Sequence, residues 1–95
     1  MKLVTIVCEA YGLDPVKKLL HEAGAHGSTH FPAEGDGAGG ERTGEMKEFA
    51  NVQIEVILTA AASTTLLTRL ENEFFPRYRM VVFETDVRVL RPAKF

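Results

Sequence analysis

Residues 51–59 alternate in character at every position, and this pattern limits the folds open to the chain. A period of two is typical of a strand with one face in the core and one half-polar face. The apolar set, expected on the core face, is Val52, Ile54, Val56 and Leu58. The half-polar set is Gln53, Glu55, Ile57 and Thr59. Residues 2–9 are also rich in β-branched side chains, but both of their faces are largely apolar. They therefore predict a central strand.

Two helices are predicted, one after each of these strands. The first begins at Asp14, a good N-cap residue, with Pro15 at the first helical position, and Gly24 is expected to end it. Its apolar residues, at helical spacing, are Val16, Leu19, Leu20 and Ala23. The second covers about residues 61–75 and is stopped by Pro76. The residues that share one stripe of this helix are Ser63, Leu66, Leu67, Leu70 and Phe74.

The remaining elements complete a ferredoxin-like order. Residues 26–34 predict a weaker strand ending near Pro32, and residues 79–92 predict a last strand that bends around Thr85–Asp86. The order strand, helix, strand, strand, helix, strand is that of the α+β ferredoxin-like fold (βαββαβ), an antiparallel sheet with two helices on one face. Residues 1–95 are expected to form this single domain. Its other sheet face carries Leu3, Thr5, Val7, Ile57 and others and needs a partner, which predicts a homo-oligomer.

Composition excludes several classes of protein. A net charge of −2 argues against a nucleic-acid clamp, which usually has a basic excess. No apolar run approaches the roughly 20 residues of a membrane-spanning helix, and the N-terminus lacks a signal-peptide cleavage site. Cys8 is the only cysteine, so no intrachain disulfide can form, and it is expected in the core. These features suit the cytoplasm.

The connection between the second and third strands is unusually long. It spans about 17 residues, 33–49, with no helix or strand pattern. Its glycines allow backbone N–H groups to approach an anion closely, and its many charges oppose burial. The glycines of this connection are Gly35, Gly37, Gly39, Gly40 and Gly44. Long structureless loops are usually functional or disordered, so a loop that responds to a ligand or partner is the favoured hypothesis and a loop without a role is the alternative.

Residues 35–40 match G-x-G-x-x-G, but a dinucleotide-binding role is rejected. That role needs a helix beginning at the glycines, whereas this segment joins two antiparallel strands. Arg42 is flanked by acidic residues and stands beside the glycines, so it is predicted to be a switch residue that exchanges carboxylates for an incoming anion.

Two other clusters contain residues that could bind a metal ion or an anion. His26 and His30 share a strand face but lie about 13 Å apart along an extended chain, too far for one metal ion. No metal site is therefore predicted. Arg91 and Lys94 belong to a locally basic C-terminal third. They are interpreted either as a solvated edge strand or as cations that converge on an anion at a subunit boundary.

Several segments in order resemble the PII signal-transduction family over essentially the whole chain. They are the small-residue turn at 24–29, the G-x-G at 35–37, the long loop that corresponds to the family's T-loop, and the strand at 52–57 of the type V-x-I-E-V-I. The ending at 87–95 and the loop base Arg42-Thr43-Gly44 are similar to those of the short, carboxysome-associated and bicarbonate-responsive PII-like proteins.

The resemblance implies a homotrimer that binds adenine nucleotides in the clefts between subunits and carries T-loops that change order with the ligand. Gly27, Ser28 and Thr29 are then expected beside adenine and ribose, and Gly35 and Gly37 beside phosphate. Ile57 and Leu58 are expected to present main-chain atoms to the base. The full set of nucleotide candidates is Gly27, Ser28, Thr29, Gly35, Asp36, Gly37, Arg42, Ile57, Leu58 and Arg91. The candidates for bicarbonate or another anion are Gly40, Arg42 and Lys94.

The same resemblance sets the expected function. The regulatory ligands are AMP or ADP and bicarbonate, no cofactor is expected, and the protein is not an enzyme. Its expected partner is a bicarbonate transporter or a carboxysome component, to which a cytoplasmic protein would attach peripherally. Residues 73–79 contain no glycine, unlike the second phosphate loop of full-length PII, so a nucleotide smaller than ATP is favoured.

Two other classes remain alternatives. Acylphosphatases share the topology, but their phosphate cradle needs an arginine, and the junction at residues 9–14 has none. Among enzymatic activities, slow nucleotide hydrolysis agrees best with the sequence. A structural homotrimer of the divalent-cation-tolerance type has the same strand order without a nucleotide.

Overall fold

The computed structural model describes residues 1–37, 40–42 and 51–95. Four strands form one antiparallel sheet: β1 (Lys2–Glu9), β2 (Thr29–Ala33), β5 (Asn51–Leu58) and β6 (Val81–Asp86). Their order across the sheet is β2-β5-β1-β6, which confirms the predicted ferredoxin-like fold. A separate pair is formed by β3 (Gly35–Gly37) and β4 (Gly40–Arg42). The helices are α1 (Leu13–Glu22) and α2 (Ala60–Arg69).

The core lies between one face of the sheet and both helices. Alternate residues of the paired strands β1 and β5 face it, as the two-residue period predicts. Helices α1 and α2 cover them with residues from the predicted stripes. The buried apolar residues are Val4, Ile6, Cys8, Val16, Leu19, Leu20, Val52, Ile54, Val56, Leu58, Leu66 and Leu70. Cys8 is a core residue, as predicted.

Helix α1 begins earlier than the cap pattern predicted. A short 3-10 turn, Ala10–Gly12, runs directly into it, so its N-cap is Gly12 and Asp14 only contributes a charge to the first turn. Gly12 is already in a helical conformation, so the extended cap residue expected at Asp14 is not needed. Gly24 ends the helix as predicted, with φ of 95° and its N–H bonded to the carbonyl of His21 over 3.1 Å.

Two further elements end differently from their predictions. The second helix is α-helical only to Arg69 and continues as one π-helical turn, Leu70–Phe74, in which the N–H of Phe75 reaches the carbonyl of Leu70 over 3.0 Å. The last strand stops at Asp86 instead of bending and continuing to residue 92. A 3-10 turn, Pro92–Lys94, follows.

The connection after β2 carries structure that its composition did not predict. Within the expected loop, β3 and β4 pair antiparallel, with Gly35 opposite Arg42 and Gly37 opposite Gly40. The described residues of the G-x-G-x-x-G segment, Gly35–Gly37 and Gly40, therefore lie in antiparallel strands and not at the start of a helix, which agrees with the rejection of a dinucleotide site. The rest of the predicted T-loop, including Gly39 and Gly44, lies outside the described residues.

The second face of the main sheet is covered by neither helix. The register places Phe83 of β6, Thr5 of β1 and Glu55 of β5 side by side on this open face. The side chains of Phe31, Val81 and Phe83 on it are 40%, 52% and 52% exposed. The structure thus retains the unpartnered apolar surface that the sequence predicted. In the part of the chain described, no helix is long and apolar enough to cross a membrane.

Candidate functional site

A concavity of about 220 Å³ opens at one end of the open face. We refer to it as the open-face concavity. Its lining comes from β1, β5, the α1–β2 connection, the start of β2 and the C-terminus. The residues are Leu3, Gly27, Ser28, Thr29, Glu55, Ile57 and Phe95.

The strand register explains why these residues meet. Ile57 of β5 lies opposite Leu3 of β1, and Glu55 of β5 lies opposite Thr29 of β2. All four therefore occupy one face at the same end of three neighbouring strands. The left-handed turn at Gly24 ends α1 and starts the short connection that brings Gly27 to the mouth.

The chemistry of the concavity is divided between apolar walls and a polar edge. Leu3, Ile57 and Phe95 supply apolar surface, whereas Ser28 and Thr29 supply hydroxyl groups. A Cβ added at Gly27 would meet no atom within 4 Å, so a ligand can approach the backbone there. The arrangement suits a flat, largely apolar group with hydrogen-bonding edges.

β2 is too short to cover all of β5. Its pairing extends from Ala33 opposite Asn51 only to Thr29 opposite Glu55. The edge of β5 over Ile57 and Leu58 therefore extends beyond the end of β2. The Leu58 side chain faces the core and is 2% exposed, so a ligand on this side would meet its main chain and not its side chain.

The other predicted nucleotide ligands lie at the opposite end of β2. Gly35, Asp36 and Gly37 form β3, which follows β2 directly, and Arg42 in β4 pairs with Gly35. Gly40, an anion candidate, pairs with Gly37. β2 itself spans about 13 Å of extended chain between Thr29 and Ala33, and Gly35 lies two residues further on. One protomer therefore does not bring the two predicted groups together.

The C-terminal cations lie near the open-face concavity but not in a strand. Arg91 precedes the 3-10 turn and Lys94 ends it, so their interpretation as part of a solvated edge strand is wrong. The carbonyl oxygen of Lys94 accepts a hydrogen bond of 2.9 Å from Nδ1 of His26. This contact joins the C-terminal turn to the α1–β2 connection, next to Gly27.

A second cavity, of about 310 Å³, adjoins the first across Gly27 and Ser28. All three histidines of the chain line it. The lining residues are Lys17, Leu20, His21, Ala25, His26, Gly27, Ser28 and His30. Among residues 1–37, 40–42 and 51–95, no three potential metal-ligating side chains are grouped closely enough to hold a metal ion.

Sequence reasoning missed three residues of the open-face concavity. Glu55 had a signal, because it lies within the strand motif that the family resemblance used. Leu3 was assigned only to the uncovered sheet face. Phe95 lies in the ending that the resemblance also used, but its place in the concavity depends on where the C-terminal turn folds back.

The whole chain is similar to known PII proteins. Residues 1–94 match the family model of the nitrogen regulatory protein P-II. A PII-like signalling protein from Thermus thermophilus is 34% identical, with a TM-score of 0.87 over 99% of this chain and 93% of that chain. CPII from Thiomonas intermedia, solved with ADP and bicarbonate, is 29% identical, with a TM-score of 0.88 over 99% and 92%.

A second CPII structure, solved with ADP, AMP and bicarbonate, aligns at 30% identity and a TM-score of 0.88 over the same shares of the two chains, 99% and 92%. None of the curated proteins matches this chain. The match to the family model covers nearly every residue, and the four-stranded antiparallel sheet with two helices agrees with the fold of the similar structures. The chain belongs to the family of the nitrogen regulatory protein P-II.

Proposed function

We propose that this protein is a PII-like regulator that senses AMP or ADP, and bicarbonate, in the clefts between the subunits of a homotrimer. The observation that carries the proposal is the open-face concavity, in which Gly27, Ser28, Thr29 and Ile57 converge. The CPII structures similar to this chain were solved with ADP, AMP and bicarbonate. We assign adenine to this concavity, with the hydroxyl group of Thr29 and the edge of β5 available to its polar atoms.

Two features support a site built from two subunits. The concavity is smaller than the roughly 300–1,000 Å³ of a complete small-molecule site. The glycine segment at Gly35–Gly37, suited to phosphate, lies at the other end of β2. Packing of the exposed open face against further copies would bring one protomer's concavity to another protomer's glycine segment. Arg91 and Lys94 are the further candidate anion ligands.

The segment after α2 favours a small nucleotide. The π-helical turn Leu70–Phe74 and the residues up to Arg79 contain no glycine that could cradle outer phosphates. Arg69 in this region already pairs with Glu22 and Glu73, at 2.9 and 2.8 Å. AMP and ADP should therefore bind more tightly than ATP.

The regulated step is proposed to lie in inorganic-carbon metabolism. Ligand-dependent ordering of residues 33–49 would present or hide an acidic loop to a protein partner, a bicarbonate transporter or a carboxysome component. The protein would act as a non-enzymatic, cytoplasmic member of the carboxysome-associated type. The competing proposals are a structural trimer that binds no nucleotide and a slow nucleotide hydrolase.

Calorimetric titration with AMP, ADP and ATP, each with and without bicarbonate, tests the proposal. AMP or ADP should bind more tightly than ATP, and bicarbonate should change the affinity or the enthalpy. A nucleotide at 100 times its Kd should stabilise the fold by about 2.7 kcal/mol, a clear shift in melting temperature. Melting that no ligand changes would favour the structural trimer. Release of phosphate during the titration would favour the hydrolase.

A further inference from the structure

The side chain of Phe95 is held against the open-face concavity by the C-terminal turn. The ring is partly buried and lines the concavity together with Leu3 and Ile57. These three residues form its apolar walls, and Phe95 is the only aromatic residue among the described residues that line it. An aromatic ring at the edge of a pocket for a planar heterocycle can stack on it, which aliphatic walls cannot do.

The backbone hydrogen bonds within this turn are local. β6 ends at Asp86, and the chain continues without a strand, after Val87 donates its N–H to the carbonyl of Met1 over 3.1 Å. The turn itself has N–H bonds from Lys94 to Arg91 and from Phe95 to Pro92, both 3.1 Å. A single 3-10 turn of this length has little stability of its own.

The bond between His26 and Lys94 joins the turn to the rest of the site. The carbonyl oxygen of Lys94 can only accept, so Nδ1 of His26 carries the proton and donates over 2.9 Å. His26 directly precedes Gly27 of the concavity. This bond therefore ties the C-terminal turn to the segment that contributes Gly27 and Ser28 to the same concavity.

From this geometry we infer that Phe95 stacks on the base of the bound nucleotide and that His26 is the positioning residue that holds Phe95 there. The inference rests on the proposed function, because it assigns the base to the open-face concavity. It adds a specificity element: ligands with a purine base gain the stacking contact, whereas pyrophosphate and bicarbonate do not.

The test compares ADP with pyrophosphate in calorimetric titrations of five proteins: wild type, Phe95→Ala, Phe95→Tyr, His26→Ala and His26→Asn. Base–aromatic stacking predicts that Phe95→Ala weakens ADP binding by about 5- to 150-fold and leaves pyrophosphate binding unchanged. Phe95→Tyr keeps the ring and should retain ADP affinity. His26→Ala should weaken ADP binding in the same direction, and His26→Asn, whose Nδ2 can replace Nδ1 as donor, should restore it.

A double variant separates positioning from direct contact. If His26 acts through Phe95, the variant with both His26→Ala and Phe95→Ala should bind ADP as weakly as Phe95→Ala alone. Nuclear Overhauser contacts between phenylalanine ring protons and adenine H2 or H8 should be present in the wild type and absent in Phe95→Ala.

Each outcome decides the inference. Equal ADP affinities of wild type and Phe95→Ala, or parallel losses of ADP and pyrophosphate binding, would overturn the stacking role. Additive losses in the double variant, or no rescue by His26→Asn, would overturn the role of His26. A wild-type protein that binds no adenine nucleotide would overturn both the proposed function and this inference, whereas ADP binding with no effect at Phe95 overturns the inference alone.

Discussion

Arg42 lies directly opposite Gly35 in the pairing of β3 with β4. Arg42, which the sequence predicts to be a switch residue, is therefore paired with the glycine segment that follows β2. The glycine backbone allows an anion to approach closely, and an arginine can bind an anion through two hydrogen bonds. The two therefore occupy paired positions.

Replacement of Arg42 by alanine should weaken binding of ADP and of bicarbonate by about 1–3 kcal/mol, the usual scale of hydrogen bonds to a charged group. The melting temperature of the ligand-free protein should barely change, because pairs of exposed charges contribute at most about 1 kcal/mol. Calorimetry and thermal melting measure the two effects. Arg77→Ala, which removes an exposed cation outside the proposed site, is the matched control.

Hydrogen exchange tests the switch directly. Amides across residues 35–48 should gain protection when nucleotide and bicarbonate bind, and Arg42→Ala should reduce that gain. Protection that stays the same with every ligand would show that the loop is not a ligand-gated switch.

Two glycines that follow α1 should differ in how replacement by alanine affects stability and ADP binding. Gly24 has φ of 95°, so Gly24→Ala should lower the free energy of unfolding by about 1–2 kcal/mol. Gly27 has open space where a Cβ would lie and lines the open-face concavity, so Gly27→Ala should leave stability unchanged but weaken ADP binding. Chemical denaturation and ADP titration of both variants measure this. Normal ADP binding by Gly27→Ala would contradict the placement of the nucleotide.

The open face should form the oligomer interface. Phe83 is 52% exposed on it, and Phe83→Glu should convert a trimer of the 10.5 kDa chain into monomers at micromolar concentration, because a buried unpaired charge is strongly unfavourable. Light scattering measures the mass. Phe75→Glu is the control, since Phe75 is 45% exposed but follows α2, outside the sheet. A wild-type monomer, or equal effects of the two variants, would refute the interface.

The ion pair between Lys2 and Asp86 should add an acid-sensitive part to stability. A hydrogen bond from Lys2 and the attraction of its charge lower the pKa of the Asp86 carboxyl below its ordinary value of 3.8. The folded state therefore binds this proton less readily than the unfolded state. The pair's contribution is present above about pH 4 and is lost as the pH falls through the lowered pKa.

Asp86→Asn should consequently lose less unfolding free energy than the wild type between about pH 5 and about pH 2. The difference should shrink in high salt, because Asp86 is 83% exposed. Urea denaturation across this pH range measures it. Glu71→Gln, which removes an exposed carboxylate from the π-helical turn, should leave the wild-type slope nearly unchanged.

Local patterns determined most of the fold. The alternation from Val52 to Leu58 set the core face of β5, and the apolar spacing from Val16 to Leu20 set the buried side of α1. Gly24 ended α1 because a positive φ is accessible to glycine at little cost. These features depend on neighbours within a few residues, so the sequence alone was sufficient. The same patterns left the second sheet face apolar and uncovered.

The tertiary structure decided what depends on distant residues. The 3-10 turn at Ala10–Gly12 moved the start of α1 away from its expected cap, and β6 ended at Asp86 where an alternating pattern continued. Phe95 and Leu3 lie at opposite ends of the chain, and only the folded sheet and the bond from His26 to Lys94 bring them to one concavity. No local pattern encodes such a contact, because it is fixed by strand register and by where the chain folds back.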